Sequence, residues 1–195
     1  MSDISAVIFD LNGVLVQSEY LSKRLERDYG VANDEVILTL KETMPKLRDT
    51  NAPSAWELWK SYIVGGGIDF SEQDFLDYWF SGEGLNTELV EYVKELKENG
   101  VKVFILSNNF KERFEYYQKE FSDLLDFVEK AYFSFQTGIV KPDLQAWKQI
   151  LDEFNLKPEE CLYIDDSNKN INAAQSFGIQ AVTYSSVENL KRIIN

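Results

Sequence analysis

Ala6-Val7-Ile8-Phe9-Asp10-Leu11-Asn12-Gly13-Val14-Leu15 is the stretch on which the fold turns. Four apolar residues run unbroken into an acid and then an Asn-Gly pair, the pattern of a buried strand that ends in a tight turn. Such a strand delivers the Asp10 carboxylate to its carboxyl end. In open α/β sheets ligands bind in the crevice outside those ends, so a carboxylate parked there is a candidate for chemistry. An Asp in a turn can equally serve the turn alone. Segments far along the chain decide between the two.

Outward from this turn, the spacing of Leu21, Leu25 and Tyr29 predicts a helix over about 18–28 with Gly30 as its stop. A second helix is expected from Asn33 or Asp34 to about Met44, ended by Pro45. A third follows Ser54, carries Trp56, Trp59 and Ile63, and breaks at Gly65-Gly66-Gly67, a run read as a loop. A fourth follows Ser71, which is paired with Asp74 in a capping arrangement, and carries Phe75, Leu76 and Trp79. The chain between Leu15 and Leu85 therefore reads as all-helical and rich in aromatic residues. Beyond Asn86 helices and strands alternate: helix at Leu89, Val93 and Leu96 up to Asn99-Gly100, strand 101–106, helix 110–120, strand 131–135, helix 143–154, strand 161–164, helix 170–177, strand 179–184 and helix 187–194. That alternation is the unit of a parallel sheet, so the fold class is α/β with helices inserted early in the chain.

With 195 residues the chain can bury one sizeable core, or a core plus a smaller appended domain. A net charge of −13 would repel nucleic acid and anionic membranes, so neither is an expected partner. The count of 0 His excludes His-dependent triads and His metal sites. Cys161, the single cysteine, lies in an apolar run and reads as a small buried hydrophobe. The apolar run 6–9 is too short for a secretory signal and no stretch reaches membrane-spanning length, so a soluble, cytoplasmic protein is expected.

The strands end in polar residues of complementary ability: Asp10 on the first, Ser107-Asn108-Asn109 on the second, Asp165-Asp166 on the fourth, with Lys141 before Pro142 in the loop after the third. In a parallel sheet all these ends share one edge, so the groups can converge. Nucleophile, hydroxyl, cation and diacid suit the transfer of a phosphoryl group. Taken singly, a Ser after a strand can be an N-cap, a Lys before Pro a solvated loop residue, and adjacent acids the start of a helix.

FDLNGVL at 9–15, LSNN at 106–109, VKPD at 140–143 and YIDDSNKNINAA at 163–174 resemble, in order and spacing, the four motifs of the haloacid-dehalogenase-like superfamily of aspartate-nucleophile hydrolases, most of which are phosphatases. The chain looks like the branch with a helical cap after the first motif, near glucose-1-phosphate phosphatase-like and epoxide-hydrolase N-terminal-like members. The resemblance implies a Rossmann-like parallel sheet ordered 5-4-1-2-3, a core of residues 1–16 and 85–195, and a helical cap of residues 17–84. It implies that Asp10 attacks phosphorus while Mg²⁺ is held by Asp10, Asp166, Asp165 and the backbone carbonyl of Asn12. Ser107 and Lys141 would bind the phosphoryl group, with Asn108 positioning phosphate and Asn170 the metal-site groups; Asn109 and Asn168 read as caps. The implied substrate is a small phosphorylated metabolite such as a sugar phosphate.

One position departs from that pattern. Phosphatases of the superfamily usually carry a second Asp two residues after the nucleophile, to protonate the leaving alkoxide and then activate water; here it is Asn12, and an amide does neither. Three readings stay open: an engineered replacement, a natural slow or specialised enzyme whose leaving group needs no proton, or a phosphate-binding relative without turnover. The dehalogenases of the superfamily show Asp-x-Tyr-Gly at this motif and work without metal, so Asn12 and the Asp165-Asp166 pair argue against that class. Trp56, Trp59, Trp79 and Phe80 could stack on a sugar, but at helical spacing they read as cap interior.

Overall fold

The computed structural model describes residues 4–194. The chain runs β1 (Ala6–Phe9), β2 (Val16–Ser18), α1 (Leu21–Tyr29), α2 (Asn33–Leu47), α3 (Ala55–Gly65), α4 (Glu72–Phe80), β3 (Glu83–Leu85), α5 (Thr87–Glu98), β4 (Lys102–Ser107), α6 (Lys111–Glu120), α7 (Ser122–Asp126), β5 (Lys130–Phe133), α8 (Ser134–Thr137), α9 (Gln145–Phe154), β6 (Cys161–Asp165), α10 (Asn168–Ser176), β7 (Gln180–Thr183) and α11 (Val187–Ile194), with a 3-10 turn at Pro158–Glu160.

Successive side chains of a strand face opposite ways, so a strand covered on both sides must be apolar throughout. β1 meets that demand and its period of two divides the interior. Val7 and Phe9 pack with Val103, Ile105, Leu162 and Ile164 beneath α5 and α11. Ala6 and Ile8 pack with Phe104, Cys161 and Tyr163 beneath Trp147 and Ile150 of α9 and Ala174 of α10. Cys161 is buried there as a small apolar side chain, as its sequence context predicts.

The five-stranded sheet has the order β5-β4-β1-β6-β7, and β1 pairs in parallel with β4 on one side and β6 on the other. Counting the parallel strands alone gives the expected 5-4-1-2-3, read from the opposite edge. The chain leaves β1 first toward one edge and then toward the other, which makes the β1–β6 junction the switch point where a ligand crevice forms.

The expectation of helices throughout 15–85 fails at its ends. Val16, Gln17 and Ser18 pair with Leu85, Gly84 and Glu83 as an antiparallel ribbon. Strands of three residues carry too little periodicity to be read, and each finds its partner only across the intervening helices. Pro45 also does not end α2, which continues to Leu47. It falls in the last turn on the exposed side, where the carbonyl it leaves unpaired is solvated. The strand predicted over 131–135 stops at Phe133, and Phe135 belongs to α8.

Between the ribbon strands, α1–α4 enclose their own apolar cluster around Trp59, Phe75 and Trp79. Trp59 is fully buried and its Nε1 donates to Thr43 Oγ1 at 3.1 Å. Ser54 with Glu57 and Ser71 with Asp74 form the capping boxes that start α3 and α4. Phe110, from the loop after β4, inserts into this cluster and ties the helices to the sheet. Among the described residues no helix is long and apolar enough to cross a membrane.

Candidate active site

Asp10 follows β1 directly, and its N–H still donates to the Ile164 carbonyl at 2.8 Å, so it is held beside Asp165, the last residue of β6. Adjacent strands lie about 4.8 Å apart, which brings side chains from two neighbouring ends within reach of one ion. Ligating oxygens of Asp10, Asp165 and Asp166 lie within 4.8 Å of one another. Gly13 makes the cluster possible: its φ is +92°, and a β-carbon there would collide with the Asp166 carboxylate.

Lys141 enters from the loop after α8. Its buried Nζ donates to Asp10 Oδ1 at 2.8 Å, to Asp165 Oδ2 at 2.9 Å and to the Tyr163 hydroxyl at 2.9 Å. Asp10 Oδ1 also accepts the Leu11 N–H at 2.8 Å, whereas Asp10 Oδ2 receives no hydrogen bond among the described residues. Asp165 is engaged at both oxygens: Oδ2 by Lys141, Tyr163 and Asn170, Oδ1 by the Ser167 N–H at 2.7 Å. Asp166 is exposed toward the crevice.

These contacts set the charge states. Burial raises Asp10 to about 6, with Lys141 opposing and Asp165 adding to the rise. Burial acts on Asp165 as well, but Lys141 and the hydrogen bonds it accepts from Tyr163 and Ser167 outweigh it and hold its carboxyl below the ordinary value. Asp166 is raised by burial and by the neighbouring Asp165 charge. Three crowded carboxylates against a single lysine leave an excess of negative charge, and hard oxygen donors are what a divalent cation of the Mg²⁺ type takes.

Ser107 closes β4 with its Oγ buried and without a hydrogen-bond partner. A buried hydroxyl left unpaired is costly, and Ser107 stands at the carboxyl end of β4, on the sheet edge that also carries Asp10 and Asp165. Asn108 spends its amide on Lys141: Oδ1 accepts the Lys141 N–H at 2.8 Å and Nδ2 donates to the Lys141 carbonyl at 2.9 Å. Its contribution therefore runs through the lysine loop. Asn109 Oδ1 accepts the Phe110 N–H at 2.9 Å, but Phe110 holds the N-cap position of α6 and no side chain caps that helix, so the cap read for Asn109 is not formed. Asn168 does not cap α10; Ser167 holds the cap position, and Asn168 Oδ1 accepts from Thr183 Oγ1 instead.

Asn12 turns away from the acids. Its Nδ2 donates to the Tyr117 hydroxyl at 2.5 Å, the Tyr117 hydroxyl donates to Glu83 on β3, and Glu83 Oε1 pairs with Arg113 Nη2 at 2.6 Å. Sequence reasoning missed this chain of groups. Arg113 and Tyr117 share a helix face at four-residue spacing, but nothing local marks Glu83 as their partner. Tyr163 was legible in principle, since it stands two residues before Asp165 on the same face of β6. A cavity of about 600 Å³ opens over Asn12, Gly13 and Asp166, bounded by Glu83, Arg113 and Trp79 and by Leu21, Ile37, Leu40 and Met44 of α1 and α2. Trp59 and Phe80 are interior, and Trp79 alone of these aromatics reaches the cavity.

A sequence model described as haloacid dehalogenase-like hydrolase matches residues 4–178. The phosphorylated carbohydrates phosphatase of Thermotoga maritima is 25% identical over 190 residues, covering 92% of this chain and 84% of that one. Bifunctional epoxide hydrolase 2 of Rattus norvegicus is 24% identical over 135 residues, 64% of this chain, and the match spans 24% of that larger enzyme. Among solved structures, a HAD-like family hydrolase of Porphyromonas gingivalis superposes with a TM-score of 0.81 at 25% identity, covering 100% of this chain and 99% of that one. A HAD family enzyme of Bacteroides thetaiotaomicron, solved with magnesium and inorganic phosphate, superposes with a TM-score of 0.77 at 20% identity, covering 98% of this chain and 100% of that one.

Proposed function

The chain belongs to the haloacid dehalogenase-like hydrolases, and from that premise we propose that it is a Mg²⁺-dependent phosphatase with Asp10 as nucleophile. The observation that carries this reading is Asp10 itself: one oxygen is pinned by Lys141 and Leu11, the other is free of hydrogen bonds, and the orphaned Ser107 hydroxyl shares its sheet edge. Asp10 Oδ2 attacks phosphorus, the bond from phosphorus to the ester oxygen breaks, and the leaving oxygen takes the electron pair. Lys141 fixes the carboxylate and offsets phosphoryl charge, while Ser107 donates to a phosphoryl oxygen. Water then cleaves the aspartyl phosphate and restores the carboxylate.

Asp10, Asp166 and the Asn12 carbonyl are the residues that would hold Mg²⁺, with Asp165 in contact directly or through water. The ion supplies positive charge against the repulsion between carboxylate and phosphate. Residues 17–84 act as a cap over a core of 1–16 and 85–195, positions 1–3 and 195 lying outside the described residues. The relatives that are phosphatases support a small phosphorylated metabolite as substrate, and the unpaired Cys161 suits a reducing cytoplasm.

Asn12 favours a second reading, a protein that binds phosphate and metal without turnover. Phosphate release from a panel of phosphate esters with Mg²⁺ separates the two. Release that disappears in Asp10→Asn supports the phosphatase. Equal, background-level release from both proteins favours the binding protein.

A further inference from the structure

Asn12 sits in a hydrogen-bond chain whose direction is fixed from both ends. At one end Asn109 Oδ1 accepts the Phe110 N–H at 2.9 Å, so Asn109 turns its Nδ2 toward Asn12 Oδ1, a long contact of 3.5 Å. At the other end Glu83 Oε1 faces Arg113 Nη2 at 2.6 Å, and Glu83 Oε2 accepts the Tyr117 hydroxyl proton. A phenol has a single proton to donate, so the Tyr117 oxygen can only accept from position 12, and Asn12 Nδ2 donates to it at 2.5 Å. The side chain that completes this chain needs an acceptor on one side and a donor on the other, which is an amide. A carboxylate there would set its own lone pairs against those of Tyr117, beside Glu83 and where Tyr117, Glu83 and Asn109 are all buried.

An ester oxygen that leaves as an alkoxide needs a proton, and an amide has none to give. The groups around Asn12 do not replace the missing acid. Tyr117 has committed its proton to Glu83, and burial raises its hydroxyl above the ordinary value. Lys141 Nζ spends its three protons on Asp10, Asp165 and Tyr163. Tyr20 and Lys23, which also line the cavity, are exposed to water.

Resting on the phosphatase reading, we infer that position 12 is built for an amide and that the substrate carries its phosphate on an acidic oxygen, that of a phenol, an enol or a carboxylic acid. Asp10 Oδ2 bonds to phosphorus, the bond from phosphorus to that oxygen breaks, and the oxygen leaves with the electron pair as a stable anion. Water then bonds to phosphorus, the Asp10 oxygen takes back its electron pair, and both water protons stay on the released phosphate. Neither step draws a proton from position 12. Trp79 and the apolar Leu21, Ile37, Leu40 and Met44 line the cavity, a wall that suits the body of a phenol or enol better than a small acyl group.

The test is kcat/KM with Mg²⁺ for aryl phosphates of graded phenol acidity, for acetyl phosphate, and for phenethyl phosphate, an alkyl ester of similar size. Expected is a steep fall as the leaving oxygen becomes more basic, with phenethyl phosphate at least about 100-fold below phenyl phosphate, the size of the missing acid catalysis. Within the inference, acetyl phosphate below p-nitrophenyl phosphate assigns the phenol or enol, and the reverse assigns the acyl group. Thermal unfolding gives a readout independent of turnover. Asn12→Asp should lower the melting temperature by about 2 °C or more. Combined with Glu83→Gln, the loss should be smaller than the sum of the two single losses, because an amide on β3 can donate to Tyr117 and the phenol can turn its proton to position 12.

Comparable turnover of phenethyl and phenyl phosphate overturns the inference while leaving the phosphatase reading intact. So does an Asn12→Asp protein that melts no lower than the native chain, or a pair of losses that simply add. Phosphate release that survives Asp10→Asn, or no release from any probe, overturns the phosphatase reading and this one with it.

Discussion

Lys141 is the residue on which the charges of the site balance. It bridges Asp10 and Asp165 with its Nζ buried, so Lys141→Met leaves those carboxylates facing each other without a cation. Breaking a buried pair from one side costs roughly 3–5 kcal/mol, and urea unfolding in EDTA should show a loss of that order. Added Mg²⁺ should recover part of it. At Cys161, burial pushes the thiol up to about 12, so iodoacetamide at pH 8 should leave it unmodified until the protein unfolds. The site residues whose place was legible from sequence were those marked by their local context. Asp10, Ser107 and Asp165 each close an apolar run, and a strand's end is a place a reader can find. Glu83 and Arg113 announce nothing, because each is an ordinary surface-type residue in its own segment and gains meaning only from its neighbours in space.

The elements were read where periodicity or capping chemistry was strong. Ser54 and Glu57 mark the start of α3 in sequence and form its capping box, so Ser54→Ala should cost about 1 kcal/mol by thermal unfolding. The ribbon of β2 and β3 escaped, since three residues cannot establish an alternation, and α2 overran Pro45 because a proline in an exposed last turn sacrifices little. The turn after β1 is the least tolerant element. Gly13→Ala combines a positive φ with a β-carbon inside the Asp166 carboxylate, so Asp166 must move. Weakened Mg²⁺ binding by calorimetry, together with lower thermal stability, is the expected result; unchanged metal affinity would separate Asp166 from the ion.

For the whole molecule, folding gathers negative charge that the sequence spreads thinly. The chain carries −13 overall, and three of its acids meet at one sheet edge. A divalent cation that binds only the folded form stabilises it by about 2.7 kcal/mol at a concentration 100 times its Kd. Calorimetric melting with increasing Mg²⁺ should therefore rise steadily, and Asp166→Asn should blunt the rise. The fold class and the edge on which the site lies follow from alternating helices and apolar runs, whereas the strand order was implied by the family resemblance alone. The docking of α1–α4 through Phe110 does not, because an interface between units leaves no periodic trace.

The two strands that lead into and out of those helices lie side by side, Gln17 opposite Gly84. A segment whose ends are already adjacent behaves as a cassette: it can be exchanged for another of different length and lining while the donor ladder is kept, and the catalytic edge is left standing. On the proposed reading, in which residues 17–84 cap the site, selectivity for the body of the substrate is separable from the chemistry performed on it, and grafting a foreign insert between those two strands should change which phosphate ester is turned over.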